Sequence, residues 1–284
     1  RLLESLTFMQ PGTNEEQESR VLQKHPSSLS GMLDHPTIIL GEGDTIALWY
    51  LPGALAPCIQ DHIADSIDPL AHPLEKSITN KSWRTTHQYF KEDLDIYGCL
   101  EFSLAQHMLG HTMCTSYLLM VSQDLASPSG NQWTKDICLP STILSGVLST
   151  IHPSLYNAGH LAMERLTEWA TGNDPSMAAA LSHWSTVFTN ISLIVNQSTP
   201  FHRDPHSWSD WYDMLVSVSE YDDCALHIPT LGIKVLYTPG TVMAFSGQLL
   251  QHGVNEVDGA RCCLAYYMRD NIHHWLKASS HTSS

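Results

Sequence analysis

From residue 187 onward the chain is a succession of short apolar runs separated by turn residues. The runs lie at 191–195, 214–218, 224–228, 233–237, 241–245 and 262–268, and Gly, Pro, Asp and Ser fill the gaps. Runs of this length rich in Val, Ile, Leu and Tyr predict short strands, and their regular spacing predicts a double-sheet jelly roll of the cupin type. Upstream, Thr-Ile-Ile-Leu and Ile-Ala-Leu-Trp-Tyr-Leu flank Gly-Glu-Gly-Asp, which reads as a hairpin over 36–52. Helical spacing follows at 57–67, and an apolar strand candidate lies at 116–121. Residues 141–151, 153–170 and 175–187 carry apolar positions at helical spacing, with Pro153 suited to a helix start. Between these blocks the polar stretch 124–137, with its Ser, Pro and Gly, reads as a loop. Residues 15–25 could form a helix that Pro26 and the serines after it would end.

The expected fold class is therefore α+β, a double-stranded β-helix core with supporting helices. Residues 1–35 are expected as a peripheral or partly disordered lead-in, and 36–284 as a single domain. Within that domain 36–185 would support a core at 186–276. His273, His274 and Trp275 would end a short cap, and 279–284 would fray.

Composition narrows the functional classes. With 43% hydrophobic and 15% charged residues the chain can bury a substantial core, which excludes disorder throughout. A net charge of −15 excludes a protein that grips duplex DNA through overall positive charge. It leaves room for a local basic stripe. Lys76, Lys81, Arg84 and Lys91 have no acidic residue among them, and Trp83, His87, Tyr89 and Phe90 interleave with them. That pattern suits a loop contacting nucleic acid through Lys76, Lys81 and Arg84, or a solvated edge guarded by lysines. The seven cysteines form no Cys-x-x-Cys pair, so free thiols in a reducing compartment are expected rather than a zinc site. No apolar stretch is long enough to span a bilayer, and the expectation is a soluble, intracellular protein with no evident protein partner.

The candidate chemistry begins at Thr-Pro-Phe-His-Arg-Asp. His202 and Asp204 are one residue apart, so at an extended strand end both side chains point to one side. His252 follows after the strand-rich run, in Leu-Leu-Gln-His-Gly-Val. Two imidazoles and one carboxylate on one face of an octahedron leave open positions, the arrangement of non-heme Fe(II) oxygenases. Arg261 opens an apolar strand after an Asp-Gly turn. A guanidinium there needs an anionic partner, and its fork fits a carboxylate such as the distal one of 2-oxoglutarate. The plainer alternative is a pairing with a neighbouring Asp or Glu at a solvated strand end. Two other pairs are set aside: Asp61 and His62 would diverge on a helix, and His107 and His111 lack the accompanying Glu of a metalloprotease helix.

These residues carry a resemblance. Thr-Pro-Phe-His-Arg-Asp-Pro, Trp-Tyr-Asp-Met-Leu, Tyr-Thr-Pro-Gly-Thr-Val-Met-Ala-Phe-Ser-Gly, His-Gly-Val-Asn-Glu-Val-Asp-Gly-Ala-Arg and Tyr-Tyr-Met-Arg-Asp together resemble the TET/J-binding-protein oxygenases, most of all their fungal branch. The resemblance is specific over about residues 185–276 and diffuse upstream. It implies an Fe(II)- and 2-oxoglutarate-dependent dioxygenase that oxidises the methyl group of a modified base in DNA, with nuclear localisation. By it His202, Asp204 and His252 bind iron, and Arg261 with Asn196 holds the cosubstrate. Gln197, Arg269 and Asp270 fall near the base. One departure is Gln197, where a basic residue would be expected beside Asn196. Because a duplex hides its methyl groups, the substrate would be methylated DNA with the base flipped out. The leading base is 5-methylcytosine, taken to 5-hydroxymethylcytosine and further oxidised forms. N6-methyladenine demethylation is the alternative. A small-molecule or protein hydroxylase with the same iron site, and a non-catalytic cupin-like binding module, stand as the other readings. Both imidazoles must be neutral to bind metal, so activity is expected to fall at acid pH.

Overall fold

The computed structural model describes residues 13–27, 29–41, 43, 45–91, 93–106, 119–204, 207–255 and 257–280. Among the described residues fourteen strands follow one another. They are β1 (Gly31–Leu33), β2 (Thr37–Leu40), β3 (Ile46–Leu51), β4 (Gly98–Ser103), β5 (Asn190–Val195), β6 (Thr199–His202), β7 (Asp213–Val218), β8 (Tyr221–Asp222), β9 (Ala225–Ile228), β10 (Ile233–Leu236), β11 (Thr241–Phe245), β12 (His252–Val254), β13 (Asp258–Gly259) and β14 (Cys262–Tyr267). A larger sheet runs β2-β3-β11-β7-β14-β5-β4 and a smaller one β1-β10-β9-β12-β6. All their pairings are antiparallel except β1 with β10. Two sheets with a buried interior give the jelly roll expected from the strand-rich half.

Alternation along the central strands divides the larger sheet into two faces. Ile191 and Leu193 of β5, with Leu264 and Tyr266 of β14, pack outward among Leu144, Leu148, Leu155 and Leu166 of the helices. Those helices span Cys138–Ile151 and Pro153–Asn173. The Tyr266 hydroxyl meets Ser141 Oγ at 3.0 Å, so even this buried polar atom is partnered. Gly159 allows the close approach: a Cβ there would lie 2.5 Å from the Val187 carbonyl oxygen. The opposite face of the same sheet turns toward the smaller sheet. Leu215, Leu226, Val235, Met243 and Phe245 form a second apolar cluster there.

Two segments differ from the sequence expectation. The stretch 124–137 holds the helices Gln123–Ala126 and Pro128–Asp136 instead of a loop. Ser122 and Ser127 cap them, their Oγ atoms accepting from Leu125 N at 3.3 Å and Gly130 N at 3.0 Å. The lead-in also carries more than a peripheral helix. Asn14–Lys24 begins with a capping box between Thr13 and Glu16, and its Glu18 is buried. Glu18 accepts from Thr230 Oγ1 at 2.9 Å and pairs with Arg203, the residue between His202 and Asp204. The final segment is the helix Asp270–Ser280, longer than the short cap expected. His107, His111 and Cys114 lie outside the described residues, as does the first half of the strand candidate at 116–121. Among the described residues no helix is long and apolar enough to cross a membrane.

Candidate metal centre

His202 ends β6 and His252 begins β12, and the antiparallel register sets the two residues directly opposite each other. Both side chains are buried, and their ring centroids lie 4.3 Å apart. Asp204 follows β6 by two residues, its backbone N–H donating to Gly247 O at 2.9 Å. That turn brings Asp204 Oδ1 to 3.5 Å from His202 Nε2 and Asp204 Oδ2 to 3.5 Å from His252 Nε2. One ligand atom from each of the three residues falls within 4.8 Å of the others.

The other ring nitrogens explain how the imidazoles are aimed. His202 Nδ1 donates to Pro200 O at 2.9 Å, and His252 Nδ1 donates to Leu250 O at 3.0 Å. Each ring is thereby fixed in the tautomer that leaves Nε2 as a lone-pair donor. Trp83 stacks on His202 at 4.5 Å, and Phe245 meets His252 edge-on at 5.0 Å. Burial, then the neighbouring His202, pushes His252 down to about 4, so it stays neutral well below physiological pH. Burial alone would raise the Asp204 carboxyl. Proximity to the His202 and His252 imidazoles and to the Arg84 guanidinium instead holds it well below the usual carboxylate range. Two imidazole Nε2 atoms and an ionised carboxylate, all aimed at one point, fit a divalent iron.

Asp213 lies behind Asp204. Its Oδ2 accepts from Gly247 N at 3.0 Å, while Oδ1 is buried without a partner among the described residues. Burial and the charge of Asp204 push the Asp213 carboxyl up. Gly247 therefore links the Asp204 backbone to the Asp213 carboxylate.

Arg261 is 5% exposed and has no acidic partner among the described residues, which removes the surface-pairing alternative. Its Nη1 donates to Gln197 O at 3.3 Å, and its guanidinium lies 5.2 Å from the centre of the Tyr237 ring. Its Nε is buried and has no partner among the described residues. A buried cation with a spare donor is costly unless an anion arrives, so the site fits the distal carboxylate of 2-oxoglutarate. Arg261 and the three metal-ligating candidates line one cavity of about 300 Å³.

The remaining expected residues are placed unevenly. Asn196 sits at φ 54, a left-handed conformation that Asn tolerates, and both ends of its amide are occupied. Its Nδ2 donates to Ile96 O at 2.6 Å, and its Oδ1 accepts from Arg261 N at 2.7 Å. Asn196 thus positions the strand that carries Arg261 instead of reaching into the cavity. Gln197 Nε2 donates to Arg84 O at 2.9 Å. Arg269 does line the cavity, but Asp270 caps Asn271 N at 2.6 Å at the start of the last helix. Lys76 and Lys81 are exposed. Arg84 departs from the expected outward stripe: its Nη2 turns inward to Asp204 Oδ1 at 2.5 Å, and its guanidinium lies 4.4 Å from the centre of the Trp83 ring. The sequence reading did not single out Glu101, Asp213 or Gly247. For the two acids the available signal was a lone charge inside an apolar strand, which demands a buried partner.

The comparisons with known proteins agree with this geometry. Residues 120–270, more than half of the chain, match the family model Tet_JBP, the oxygenase domain of the 2OGFeDO superfamily. No curated protein matches the chain. Among solved structures, NgTET1 in complex with 5mC DNA is similar over 100% of this chain and 98% of its own, at 13% identity and a TM-score of 0.52. At that identity the likeness is one of fold. A truncated viral collagen prolyl hydroxylase from Paramecium Bursaria Chlorella virus-1 overlaps 28% of this chain and 53% of its own, at 17% identity and a TM-score of 0.22. With its strand-ladder histidines, the adjoining carboxylate and a buried arginine on one cavity, the chain belongs to the Tet/JBP oxygenase family, dioxygenases that use Fe(II) and 2-oxoglutarate.

Proposed function

We propose that this dioxygenase oxidises the methyl group of a modified base in DNA, 5-methylcytosine to 5-hydroxymethylcytosine and further oxidised forms. The observation that carries the reading is the shared cavity. It holds His202, Asp204 and His252 at one place, the buried Arg261 at another, and the charged Arg269 beyond them. The solved structure of similar fold holds 5mC DNA, which favours a base over a free metabolite as occupant.

In this reading His202, Asp204 and His252 hold the iron and Arg261 takes the distal carboxylate of the cosubstrate. Bound iron and 2-oxoglutarate supply the oxidant: one oxygen atom of O₂ ends in the succinate formed as CO₂ leaves, the other in the substrate C–H bond. The chain's own contribution is orientation and dryness. The carbonyls of Pro200 and Leu250 fix the two imidazoles, while Trp83 and Phe245 cover their faces. A cavity of about 300 Å³ admits one ring and not a base pair, so the base must leave the stack to reach the metal. Arg269 then meets the edge of the flipped ring. Lys76 and Lys81 are exposed for phosphate contacts that an otherwise acidic protein needs locally, and a DNA substrate places the work in the nucleus.

The deciding experiment incubates the protein with Fe(II), 2-oxoglutarate and ascorbate, and reads the products by mass spectrometry. The substrates are duplexes carrying 5-methylcytosine or N6-methyladenine, and the free nucleosides. Hydroxymethylcytosine in the duplex is the expected product. Formaldehyde with unmethylated adenine would replace 5-methylcytosine by the other base. Succinate release with every methylated DNA unaltered would remove DNA as substrate.

A further inference from the structure

At the end of the cavity away from Arg261 stands a second charged group that the metal chemistry leaves unused. Glu101 lies on β4, in register with Ser192 of β5, which pairs with Ala265 of β14, which pairs with Leu215 of β7. All four face the cavity. The row therefore runs from a bulky apolar residue, across two small ones, to a carboxylate at the sheet edge. Ser192 and Ala265 leave a shallow floor on which a flat ring can lie with one edge toward Glu101.

The carboxylate is held, but not consumed. Arg269 Nη2 donates to Glu101 Oε1 at 2.6 Å and the Tyr267 hydroxyl donates to the same oxygen at 2.9 Å. Asn190 Nδ2 reaches that oxygen too, at 3.5 Å. Among the described residues Oε2 receives no hydrogen bond, and the Glu101 side chain is 40% exposed. A fixed acceptor oxygen beside a fixed guanidinium is the complement of an edge that offers one N–H donor next to one acceptor.

We infer that Glu101, steadied by Arg269 and Tyr267, is the specificity-determining residue that reads the amino edge of a 4-aminopyrimidine, so that the cavity takes a 5-methylcytosine ring and rejects thymine. The inference rests on the reading of function given above. Cytosine carries an amino donor at C4 next to the ring acceptor N3, which matches carboxylate and guanidinium in turn. Thymine has the same methyl but a carbonyl oxygen at C4, which would face the carboxylate with no hydrogen between them. A site built to pair a donor rejects the analogue lacking it far more strongly than a site that reads shape alone. In N6-methyladenine the reacting methyl sits on the read nitrogen itself. A carboxylate engaging that nitrogen would hold the methyl at the sheet edge, away from His202 and His252.

The test compares kcat/KM on one duplex carrying either 5-methylcytosine or thymine at a single position. The wild type is expected to favour 5-methylcytosine. In Glu101→Gln the amide oxygen still accepts from Arg269 while the NH₂ turns to the ring, and the preference should fall by about tenfold or more, chiefly through KM. Glu101→Asp, which restores the carboxylate, should recover part of the preference, a recovery that a purely structural role would not produce. An unchanged ratio in a Glu101→Gln protein that is folded at the assay temperature overturns the inference. A second arm needs no variant and decides alone if that protein fails to fold: the same duplex carries 5-methylpyrimidin-2-one, which lacks the exocyclic amine. A loss of about tenfold or more is expected, and turnover equal to that of 5-methylcytosine overturns the inference while leaving the function intact. A wild type that oxidises no methylated base removes both.

Discussion

His202 and His252 are cross-strand partners, opposite one another in the β6–β12 ladder with ring centroids 4.3 Å apart. Opposed residues of an antiparallel pair project to the same face, so the ladder itself, and not a loop, sets the separation of the two imidazoles. A slip of one residue would turn one ring out of the cavity. His202→Ala and His252→Ala should therefore each lose metal while keeping the sheet. Calorimetric titration of the metal-free protein with Mn(II), an inert stand-in for Fe(II), should show affinity reduced by more than the roughly 10–100-fold that loss of a supporting partner costs. Wild-type affinity in either variant would mean that the ion binds elsewhere.

Arg261 is expected to help function at the expense of stability. Its guanidinium is buried with one carbonyl and one ring for company, and its Nε is unpaired among the described residues. Arg261→Met removes that uncompensated charge, so the ligand-free variant should withstand more urea than the wild type. The same change should raise the KM for 2-oxoglutarate by about 30-fold or more, the effect of losing one member of a buried charge pair worth about 2 kcal/mol or more. Arg261→Lys should recover little, because a point charge cannot form the fork. A variant with lower stability and unchanged KM would show that the guanidinium serves the fold alone.

Gly247 controls the carboxylate ligand. A Cβ on this residue would stand 2.5 Å from Asp213 Oδ2 and 3.0 Å from Asp204 Oδ2. Neither carboxylate can yield freely, since Asp213 Oδ2 accepts from Gly247 N and Asp204 Oδ1 is held by Arg84. Gly247→Ala should therefore push Asp204 off its aim at the two histidines. We expect metal affinity about tenfold weaker or worse, in the range of other disturbances to the ligands' supports, with a small change in melting temperature. Intact metal binding would mean that the turn relaxes at no cost to the site.

Which parts of this were legible in the sequence follows from how local each signal is. The strands β5, β7, β9, β10, β11 and β14 announce themselves as short apolar runs bounded by turn residues. The ligand strands β6 and β12 do not. They are short, and each gives up an apolar position to a histidine. Arg261 was conspicuous as a charge heading an apolar strand, and its lack of an acidic partner could be known only from the packing. Arg84 was grouped with its lysine neighbours because charges were read by proximity along the chain. Its carboxylate partner is 120 residues away. Glu18 and Arg203 are likewise joined across 185 residues. The helices over 123–136 were missed although Ser-Pro, a cap followed by its preferred first residue, was there to be read at Ser127 and Pro128.

The pair Glu101–Arg269 also predicts an acid limb in stability. Burial raises the Glu101 carboxyl, but the charge and hydrogen bond of Arg269 outweigh it and hold the group below its usual 4.5. For a carboxylate depressed in the folded state, the unfolded chain binds more protons between the two values, so stability falls as pH falls. The contribution is complete above about pH 4.5 and disappears as pH drops through the lower folded value. Glu101→Gln cannot take part in this titration. Urea denaturation of the two metal-free proteins should give a stability difference that is flat from neutral pH to about pH 5 and then shrinks with further acid. Other acids titrate in both proteins, and all but Asp124, whose carboxyl the Glu101 charge helps push up, cancel in the comparison. A gap that widened as pH fell from neutral toward 4.5 would mean that the folded protein raises the Glu101 carboxyl, which would then be protonated at the cavity edge where its charge is needed.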